Sequence, residues 1–377
     1  MKRQPGTVRD SIVRALSARP EGAAVCEIMQ AVNESLGPTP PSSVRSYLQI
    51  NTPKFFVRSE RGVYQLRRDL FDESALRFFD GSILPEQEIF HFGSATLVQA
   101  DCFDWLRARG EHSIHAVVTD PPYGLIEYSD VEQSKLRQGK GGVWRIPPSF
   151  DGVKRAPLPR FTVLTERDIV ALDEFFTQWA RLVHKVLVPG GNVLVASNPL
   201  LSHVVSGALA RAGLERRGEV VRLVMTMRGG DRPKAAHETF PDVSVMPRSM
   251  WEPWLMFRRP LDGRVQDNLR KWGTGGFRRP SADKPFGDVI ASAPTRASER
   301  LLAPHPSLKP QAFMRKLVRA VLPLGKGIVC DPFAGAGSTL AAAEAVGYSS
   351  IGIERDATYF DGARDAIPKL ARLQTAD

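Results

Sequence analysis

Residues 327–337 read GIVCDPFAGAG, an apolar run that ends at Asp331 and opens into a turn built on glycines. The run predicts a short buried strand, and the residues after the turn predict a helix. Gly335 and Gly337 keep the turn open, so that a ligand carboxylate can approach backbone N–H groups at the helix N-terminus. The stretch therefore predicts an α/β fold with a ligand site at this turn.

A second stretch, residues 116–123, reads AVVTDPPY and also ends an apolar run on an acid. The side chain of Asp120 and the carbonyl of Pro121 can both accept hydrogen bonds from one planar NH2 group. After Pro122, the ring of Tyr123 can stack on the flat group that bears this amine. The stretch predicts a site for a planar amino group, although taken alone it also fits an ordinary strand-ending turn.

Together the two motifs resemble the DNA amino-methyltransferase family, in the beta-group order that places the catalytic motif before the cofactor motif. A third match is the segment HPSLKP at residues 305–310, which resembles the family's His-Pro-x-x-Lys-Pro segment. The resemblance covers roughly the last three quarters of the chain, a span that fits one large α/β domain. It implies a Rossmann-like, S-adenosylmethionine-dependent methyltransferase sheet with a circularly permuted motif order.

The resemblance also implies S-adenosylmethionine as cofactor. The residues expected around its methionine part are Asp331, Phe333, Gly335 and Gly337. Glu354, about 20 residues after the glycine turn, is placed to accept from both ribose hydroxyls. Asp101 would hold the adenine amino group, or is only a turn residue or helix cap. Lys309 either neutralises the cofactor carboxylate or is solvated beside prolines that start a helix.

The resemblance implies direct methyl transfer to an exocyclic amine, with the target base held by the tetrapeptide Asp120, Pro121, Pro122 and Tyr123. A base inside a duplex cannot reach such a pocket, so the target must be flipped out of the helix. The chemistry needs no nucleophilic cysteine. Cys26, Cys102 and Cys330 are scattered without paired spacing, so neither a disulfide framework nor a metal site is predicted.

Adenine N6 and cytosine N4 present the same local geometry to the tetrapeptide. Because Asp at its first position resembles the adenine enzymes, we predict transfer to adenine N6 in duplex DNA and keep cytosine N4 as the alternative. RNA is a further alternative, since positive charge does not distinguish nucleic acids. Protein-amide methyltransferases use a similar motif but place the cofactor turn first. The non-enzymatic alternative is a winged-helix regulator on an inactive methyltransferase body.

The chain has 377 residues, 42% of them hydrophobic, and a formal charge of +10. Residues 1–70 contain eleven Lys/Arg and six Asp/Glu, and residues 228–300 contain fourteen and nine. Each segment therefore carries +5 and the rest of the chain balances. This concentration predicts that two particular segments meet a polyanion.

Three domains or regions are predicted. Residues 1–68 resemble a winged helix, residues 69–90 are a linker, and residues 91–377 form the methyltransferase domain with a target-recognition region at about 228–300. In the first domain, helices are predicted at 7–18, 24–36 and 42–50, and a hairpin at 55–66. The third helix would offer Arg45, Ser46 and Gln49 to a major groove, unless the domain is a protein-docking or purely structural module.

In the methyltransferase domain, helical and strand periodicities alternate. Helices are predicted at 168–188, 200–212, 311–321 and 338–346, and strands at 95–102, 192–196, 220–226, 254–257, 327–330 and 350–353. If the strand before Asp331 lies beside the strand before Asp120, both turns open on the same edge of the sheet. That adjacency is the condition for one active site.

No apolar run approaches the ~18 residues of a membrane span, and Met1–Pro5 is not followed by the apolar stretch of a signal peptide. We therefore expect no membrane association and a cytoplasmic, nucleoid-associated location. The resemblance implies double-stranded DNA as partner. A homodimer and a cognate restriction endonuclease are further partners that no residue pattern specifies.

Overall fold

The computed structural model describes residues 8, 11–12, 15–16, 19, 22–50, 52, 56–60, 62–66, 88–122, 166–224, 230, 232–233, 235–303, 305 and 308–375. The chain divides into two compact units, Met1–Glu88 and Ile89–Asp377. Each unit has a hydrophobic core of its own.

The first unit contains a three-stranded antiparallel sheet in the order β1-β3-β2. Its elements are β1 (Ala23–Ala24), α1 (Val25–Leu36), α2 (Pro41–Ile50), β2 (Phe56–Glu60) and β3 (Val63–Leu66). The described positions of the predicted first helix, Val8, Ser11, Ile12, Ala15 and Leu16, are helical. The predicted hairpin is confirmed by β2 and β3. The winged-helix identity and its DNA-binding role stay predictions.

Helix α2 begins one residue earlier than predicted. Its first residue is Pro41, whereas the helix was predicted to begin at residue 42. Proline fits the first helical position because its φ is already helical and its missing N–H would have had no partner inside the helix. Arg45, Ser46 and Gln49 are exposed on this helix, as predicted.

The second unit is built on a nine-stranded sheet in the order β10-β8-β9-β7-β6-β11-β12-β5-β4. The strands are β4 (Ile89–Phe92), β5 (Ala95–Gln99), β6 (Ile114–Thr119), β7 (Leu187–Ala196), β8 (Glu215–Leu223), β9 (Trp251–Arg258), β10 (Val289–Ala291), β11 (Ile328–Asp331) and β12 (Ser349–Glu354). All neighbours pair in parallel except those of β4 and β9. The carboxyl ends of the seven parallel strands therefore share one edge.

Helices cover both faces of this sheet. They are α3 (Cys102–Ala108), α4 (Glu166–Val186), α5 (Ser202–Arg211), α6 (Val265–Trp272), α7 (Ala297–Leu302), α8 (Gln311–Val321), α9 (Ser338–Ala345) and α10 (Ala357–Arg372). Along β7, Val193 and Val195 pack in one core with α4 and α5, whereas Leu194 packs in another with α8. Side chains alternate along a strand, so one apolar run serves two cores. The architecture confirms the predicted Rossmann-like α/β sheet.

The methyltransferase domain was predicted to begin at residue 91, and its sheet begins two residues earlier. Strand β4 begins at Ile89 and pairs with β5, so the sheet starts inside the predicted linker at 69–90. Strand β9 lies between β8 and β7, and it contains the strand predicted at 254–257 within the proposed target-recognition region at 228–300. Strand β10 adds a second strand to the sheet within the same range.

The helix was predicted to run to residue 188 and the strand to begin at residue 192, but residues 187–191 already lie inside β7. Helix α4 ends at Val186 and the strand follows directly, with a shift of register opposite Ile114. Gly190 has a φ of 75°, and its N–H lies 3.1 Å from the carbonyl oxygen of Arg259. A left-handed glycine thus allows the strand to continue through an irregular step.

Within the described ranges, no helix is long and apolar enough to cross a membrane. Over the same residues, no group of three or more His, Cys, Asp or Glu side chains is arranged to hold a metal ion.

Candidate active site

The strands that end in the two motifs are direct neighbours. β6 and β11 pair in parallel, with Cys330 opposite Val117. Asp120 and Asp331 therefore leave the same edge of the sheet, which confirms the predicted adjacency. The hydroxyl of Thr119 donates to Asp331 Oδ1 at 2.6 Å, and Thr339 at the start of α9 donates to the carbonyl of Val118 at 3.3 Å. Two hydrogen bonds thus join the catalytic motif to the glycine turn.

Lys309 is the partner of Asp120. Its ammonium group pairs with Asp120 Oδ2 and lies 3.5 Å from Glu252 Oε1. The Lys309 side chain is only 9% exposed, so the prediction that it is solvated is wrong. Burial lowers its pKa, but the charges of Asp120 and Glu252 outweigh burial and raise the pKa above its ordinary value. Lys309 is therefore a buried cation shared by two carboxylates.

The remainder of the tetrapeptide is described only in part. Pro121 is buried and Pro122 is half-buried, immediately beyond β6. Tyr123 lies outside the described residues, so its predicted stacking role stays a prediction. The position of Asp120 is nevertheless fixed by the strand before it and by its pairing with Lys309.

The glycine turn is held by its own backbone and by Glu354. Gly335 and Gly337 have φ values of 48° and 75°, in the left-handed region that suits glycine. The N–H of Gly335 donates to Glu354 Oε2 at 2.8 Å, and the N–H of Gly337 donates to the carbonyl of Ala334 at 2.7 Å. A Cβ atom on Gly337 would lie 2.4 Å from Cγ1 of Ile367. Gly337 is therefore required for packing against α10, a role its sequence context did not reveal.

Asp331 is a buried carboxylate at the start of the turn. Its side chain accepts from the N–H of Phe333 at 3.1 Å in addition to Thr119. Burial raises its pKa to about 6, against the lowering effect of these hydrogen bonds. An acid with this pKa changes charge just below neutral pH, which makes it a functional-site candidate.

The ring of Phe333 packs against helix α4. Its centroid lies 5.9 Å from that of Trp179 and 6.2 Å from that of Phe175. The buried residues on the aromatic face of α4 belong to the main core cluster. The structure adds that this face supports the predicted cofactor turn.

Glu354 and Asp101 end the next two strands on the same edge. Glu354 accepts from Gly335 and, through Oε1, from the N–H of Asp356 at 2.8 Å, while burial raises its pKa. Asp101 follows β5 and caps α3, accepting from Phe103 N at 2.9 Å. The helix-cap alternative for Asp101 is thus realised, and its contact with the cofactor stays a prediction.

The structure therefore brings four strand-ending acids to one edge: Asp120 after β6, Asp331 at the end of β11, Glu354 at the end of β12 and Asp101 after β5.

His305 lies against Gly335, and its ring is 4.5 Å from the ring of Tyr359. Burial first, and then the charge of Lys309, lower the pKa of His305 to about 4. A neutral, packed imidazole fits a structural role.

Three further residues of the site were not predicted: Thr119, Glu252 and Arg222. Glu252 lies in an apolar strand, and Arg222 donates to its Oε2 at 2.8 Å. A charged residue inside an apolar strand is a usable signal, because buried charges must be paired. The partner cannot be read from the sequence, since it comes from another strand.

A family model and several known proteins match this chain. A family model described as DNA methylase, N6_N4_Mtase, matches residues 114–365. The type II methyltransferase M2.DpnII of Streptococcus pneumoniae is 22% identical over 76% of this chain and 94% of its own length. The type II methyltransferase M.HindIII of Haemophilus influenzae is 25% identical over 69% of this chain and 91% of its own.

The solved structures that match this chain include a putative DNA modification methylase of Thermus thermophilus in complex with S-adenosyl-L-methionine. It is 19% identical, with a TM-score of 0.44 over 73% of this chain and 95% of its own. PvuII DNA methyltransferase, described as cytosine-N4-specific, is 14% identical, with a TM-score of 0.47 over 74% of this chain and 92% of its own.

Proposed function

The chain belongs to the DNA methylase family of N6- and N4-amino methyltransferases, and on that premise we propose that it methylates the N6 amine of a flipped adenine in duplex DNA. Membership makes it an S-adenosylmethionine-dependent enzyme that modifies DNA. The observation that carries the proposal is the pairing of β6 with β11, which places Asp120 and the glycine turn at one edge of the sheet.

The residues around the glycine turn fit the cofactor. The turn opens at the carboxyl edge of the sheet, where ligands bind in open α/β folds, and its left-handed glycines present backbone rather than side chains. We assign Asp331, Phe333 and Gly335 to the methionine part of S-adenosylmethionine, Glu354 to the ribose and Asp101 to the adenine amino group. When bound, the cofactor supplies an electrophilic methyl group.

Asp120 is assigned the role of orienting the target amine. A carboxylate has two oxygens and several acceptor positions, so it can pair with Lys309 and also accept from an amine. Together with the carbonyl of Pro121 it turns the nitrogen lone pair towards the methyl group. The nitrogen becomes acidic only after it has taken up the methyl group, and its proton then leaves. Positioning and local electrostatics are therefore the main contributions of Asp120.

Base flipping completes the proposal. A base within a duplex must leave the stack to reach the edge where Asp120 lies, at a cost of a few kcal/mol. Tyr123 would stack on the flipped base. Lys309 is already paired with Asp120, so we assign it to the catalytic side of the site instead of to the cofactor carboxylate. The basic segments 1–70 and 228–300 would offset the cost by contacting phosphates.

Adenine is proposed over cytosine because Asp120 occupies the first position of the tetrapeptide, as in the adenine enzymes that the sequence resembles. Cytosine N4 is the second candidate, since Asp120 and Pro121 would meet an amine of the same geometry. Similarity to proteins named type II methyltransferases supports a restriction–modification setting with a cognate endonuclease. A homodimer and a cytoplasmic, nucleoid-associated location belong to the same proposal.

The test is to incubate the purified chain with methyl-labelled S-adenosylmethionine and duplex DNA, and to digest the DNA to nucleosides. The proposal expects label in N6-methyladenine. Label in N4-methylcytosine would select the second candidate. Parallel reactions with RNA and with protein test the remaining alternatives, and label there but not in DNA would overturn the proposal.

A further inference from the structure

Arg222 and Glu252 form a cross-strand ion pair at the active-site end of β8 and β9. They are opposite each other in the strand register, and Arg222 Nη1 lies 2.8 Å from Glu252 Oε2. The two side chains are only 6% and 15% exposed. Strand β8 ends at Leu223 and β9 begins at Trp251, both at the edge of the sheet where Asp120 lies. The ion pair therefore joins β8 to β9 at the ends of the two strands that border this part of the predicted recognition region.

The same glutamate reaches the catalytic motif through Lys309. Glu252 Oε1 lies 3.5 Å from Lys309 Nζ, and Lys309 pairs with Asp120 Oδ2. The four side chains thus alternate in charge in the order Arg222, Glu252, Lys309, Asp120. Burial raises the pKa of Glu252, but the charges of Lys309 and Arg222 lower it by more than burial raises it. The pKa is therefore below its ordinary value, and Glu252 stays ionised.

Arg222 is itself fixed by a third strand. It donates to the hydroxyl of Ser292 at 3.0 Å and to the carbonyl of Ala293 at 3.1 Å, just beyond β10. Its guanidinium carbon is also 5.0 Å from the centroid of the Phe313 ring. Because a buried charge is costly without its partner, these contacts restrict where Glu252 and then Lys309 can lie.

We infer that Glu252 is a positioning residue: it holds Lys309 between two carboxylates and thereby sets the place and the acceptor strength of Asp120. The inference rests on the proposed function, in which Asp120 accepts from the target amine. Among these four side chains, Lys309 faces two carboxylates, Asp120 and Glu252. When the charge of Glu252 is removed, Asp120 is the carboxylate of this group that still faces Lys309. A tighter pair with Lys309 makes Asp120 a weaker acceptor for the amine and moves it from the productive position.

The experiment compares Glu252→Gln with Glu252→Asp in the full chain. Glutamine keeps the shape and removes the charge, whereas aspartate keeps the charge and shortens the side chain. We expect the single-turnover rate of methyl transfer to fall about 10- to 100-fold in Glu252→Gln, and less in Glu252→Asp. The dissociation constant of S-adenosylmethionine should change less than about twofold in both variants, since the ion pairs of Glu252 lead to Arg222 and Lys309 and away from the glycine turn.

Glu215→Gln is the matched control. Glu215 pairs with Arg258 at 2.5 Å on the same two strands, and these residues are also opposite in register, at the far end of β8 and β9. Glu215→Gln removes a cross-strand ion pair away from Asp120, in which the Glu215 side chain is 39% exposed, against 15% for Glu252. We expect its thermal stability to fall by a smaller amount, because a more exposed ion pair contributes less, while its transfer rate stays at the wild-type value.

Three results would overturn the inference. The first is a Glu252→Gln variant that transfers methyl groups at the wild-type rate, and the second is a transfer rate that falls more in Glu252→Asp than in Glu252→Gln. The second result would mean that the size of the Glu252 side chain matters for transfer and its charge does not. The third is a loss of transfer rate in Glu215→Gln equal to that in Glu252→Gln. Failure of the wild-type chain to label DNA would instead refute the proposed function, and the inference with it.

Discussion

The hydroxyl of Thr119 donates a 2.6 Å hydrogen bond to Asp331 Oδ1, across 212 positions of the sequence. Thr119 is the last residue of β6, and Asp331 is the last residue of β11. Both side chains are almost completely buried. This contact is the shortest described connection between the catalytic motif and the predicted cofactor turn.

Replacing Thr119 by Val should weaken this connection while preserving side-chain shape. Asp331 would keep its burial and lose a donor, so we expect the free energy of unfolding to fall by about 1–3 kcal/mol. Urea unfolding measures the loss. Thr119→Ser retains the hydroxyl and should restore most of the stability, and a Thr119→Val protein as stable as the wild type would contradict the prediction.

The raised pKa of Asp331 predicts opposite effects of pH on stability and on cofactor binding. Its pKa is about 6 in the folded chain, against an ordinary value of 3.8. The folded state thus holds the proton more tightly, so the stability from this group is full below about pH 4 and is lost as pH rises through about 6. If the carboxylate accepts from the cofactor ammonium, affinity should instead fall as pH drops through about 6.

Calorimetric titration with S-adenosylmethionine between pH 5 and 8, in buffers spaced at about one pK unit, measures this dependence. Asp331→Asn has no titrating carboxyl group at this position and should lose the dependence near pH 6. An unchanged pH profile in Asp331→Asn would show that another group controls binding.

Gly337→Ala should destabilise the chain more than Gly347→Ala. Both glycines have nearly the same φ, 75° and 76°, but only at Gly337 would a Cβ atom clash, at 2.4 Å from Ile367. The backbone conformation costs roughly 1–2 kcal/mol at either position, and overpacking adds about 1–3 kcal/mol at Gly337. Denaturant unfolding of the two variants measures the difference.

A double-mutant comparison tests the stated cause. Ile367→Ala leaves a cavity in the wild type, but in the Gly337→Ala background it also relieves the clash. It should therefore cost less in that background. Equal costs in both backgrounds would mean that Ile367 is not what Gly337 must accommodate.

Arg45 tests the predicted DNA contact of the first unit. Its side chain is exposed on α2, and if it meets a phosphate, Arg45→Gln should reduce the slope of log affinity against log salt by about 1. Fluorescence anisotropy with labelled duplex DNA measures the slope. Arg216→Gln, an exposed arginine at the start of β8 and away from the active-site edge, should leave it unchanged. An unchanged slope in Arg45→Gln favours a docking or structural role for this unit.

The fold was largely predictable because most elements carry their own signal. The apolar face of α4 and the runs of β6, β7 and β11 follow from periodicity, and α8 spans the predicted residues 311–321. The errors lie where tertiary structure overrides a local signal. Residues 189–191 were predicted to lie between a helix and a strand. The left-handed Gly190 and its hydrogen bond to the carbonyl of Arg259 instead keep them in β7.

The site was predictable in its motifs but not in its long-range partners. Adjacency of β6 and β11 followed from the requirement that two motifs share one edge, and the sheet order confirms it. The pairing of Lys309 with Asp120 and Glu252 depends on three separate segments, and no spacing encodes it. The strain that Gly337 relieves is likewise invisible, because Ile367 is distant in sequence.

Asp120→Asn tests the central claim most directly. Asparagine keeps the size of the side chain and removes the charge that pairs with Lys309 and orients the amine. In single-turnover assays with duplex DNA, we expect methyl transfer to fall by about 10²- to 10³-fold, with the dissociation constant of S-adenosylmethionine unchanged within about twofold. Transfer at the wild-type rate would contradict the account.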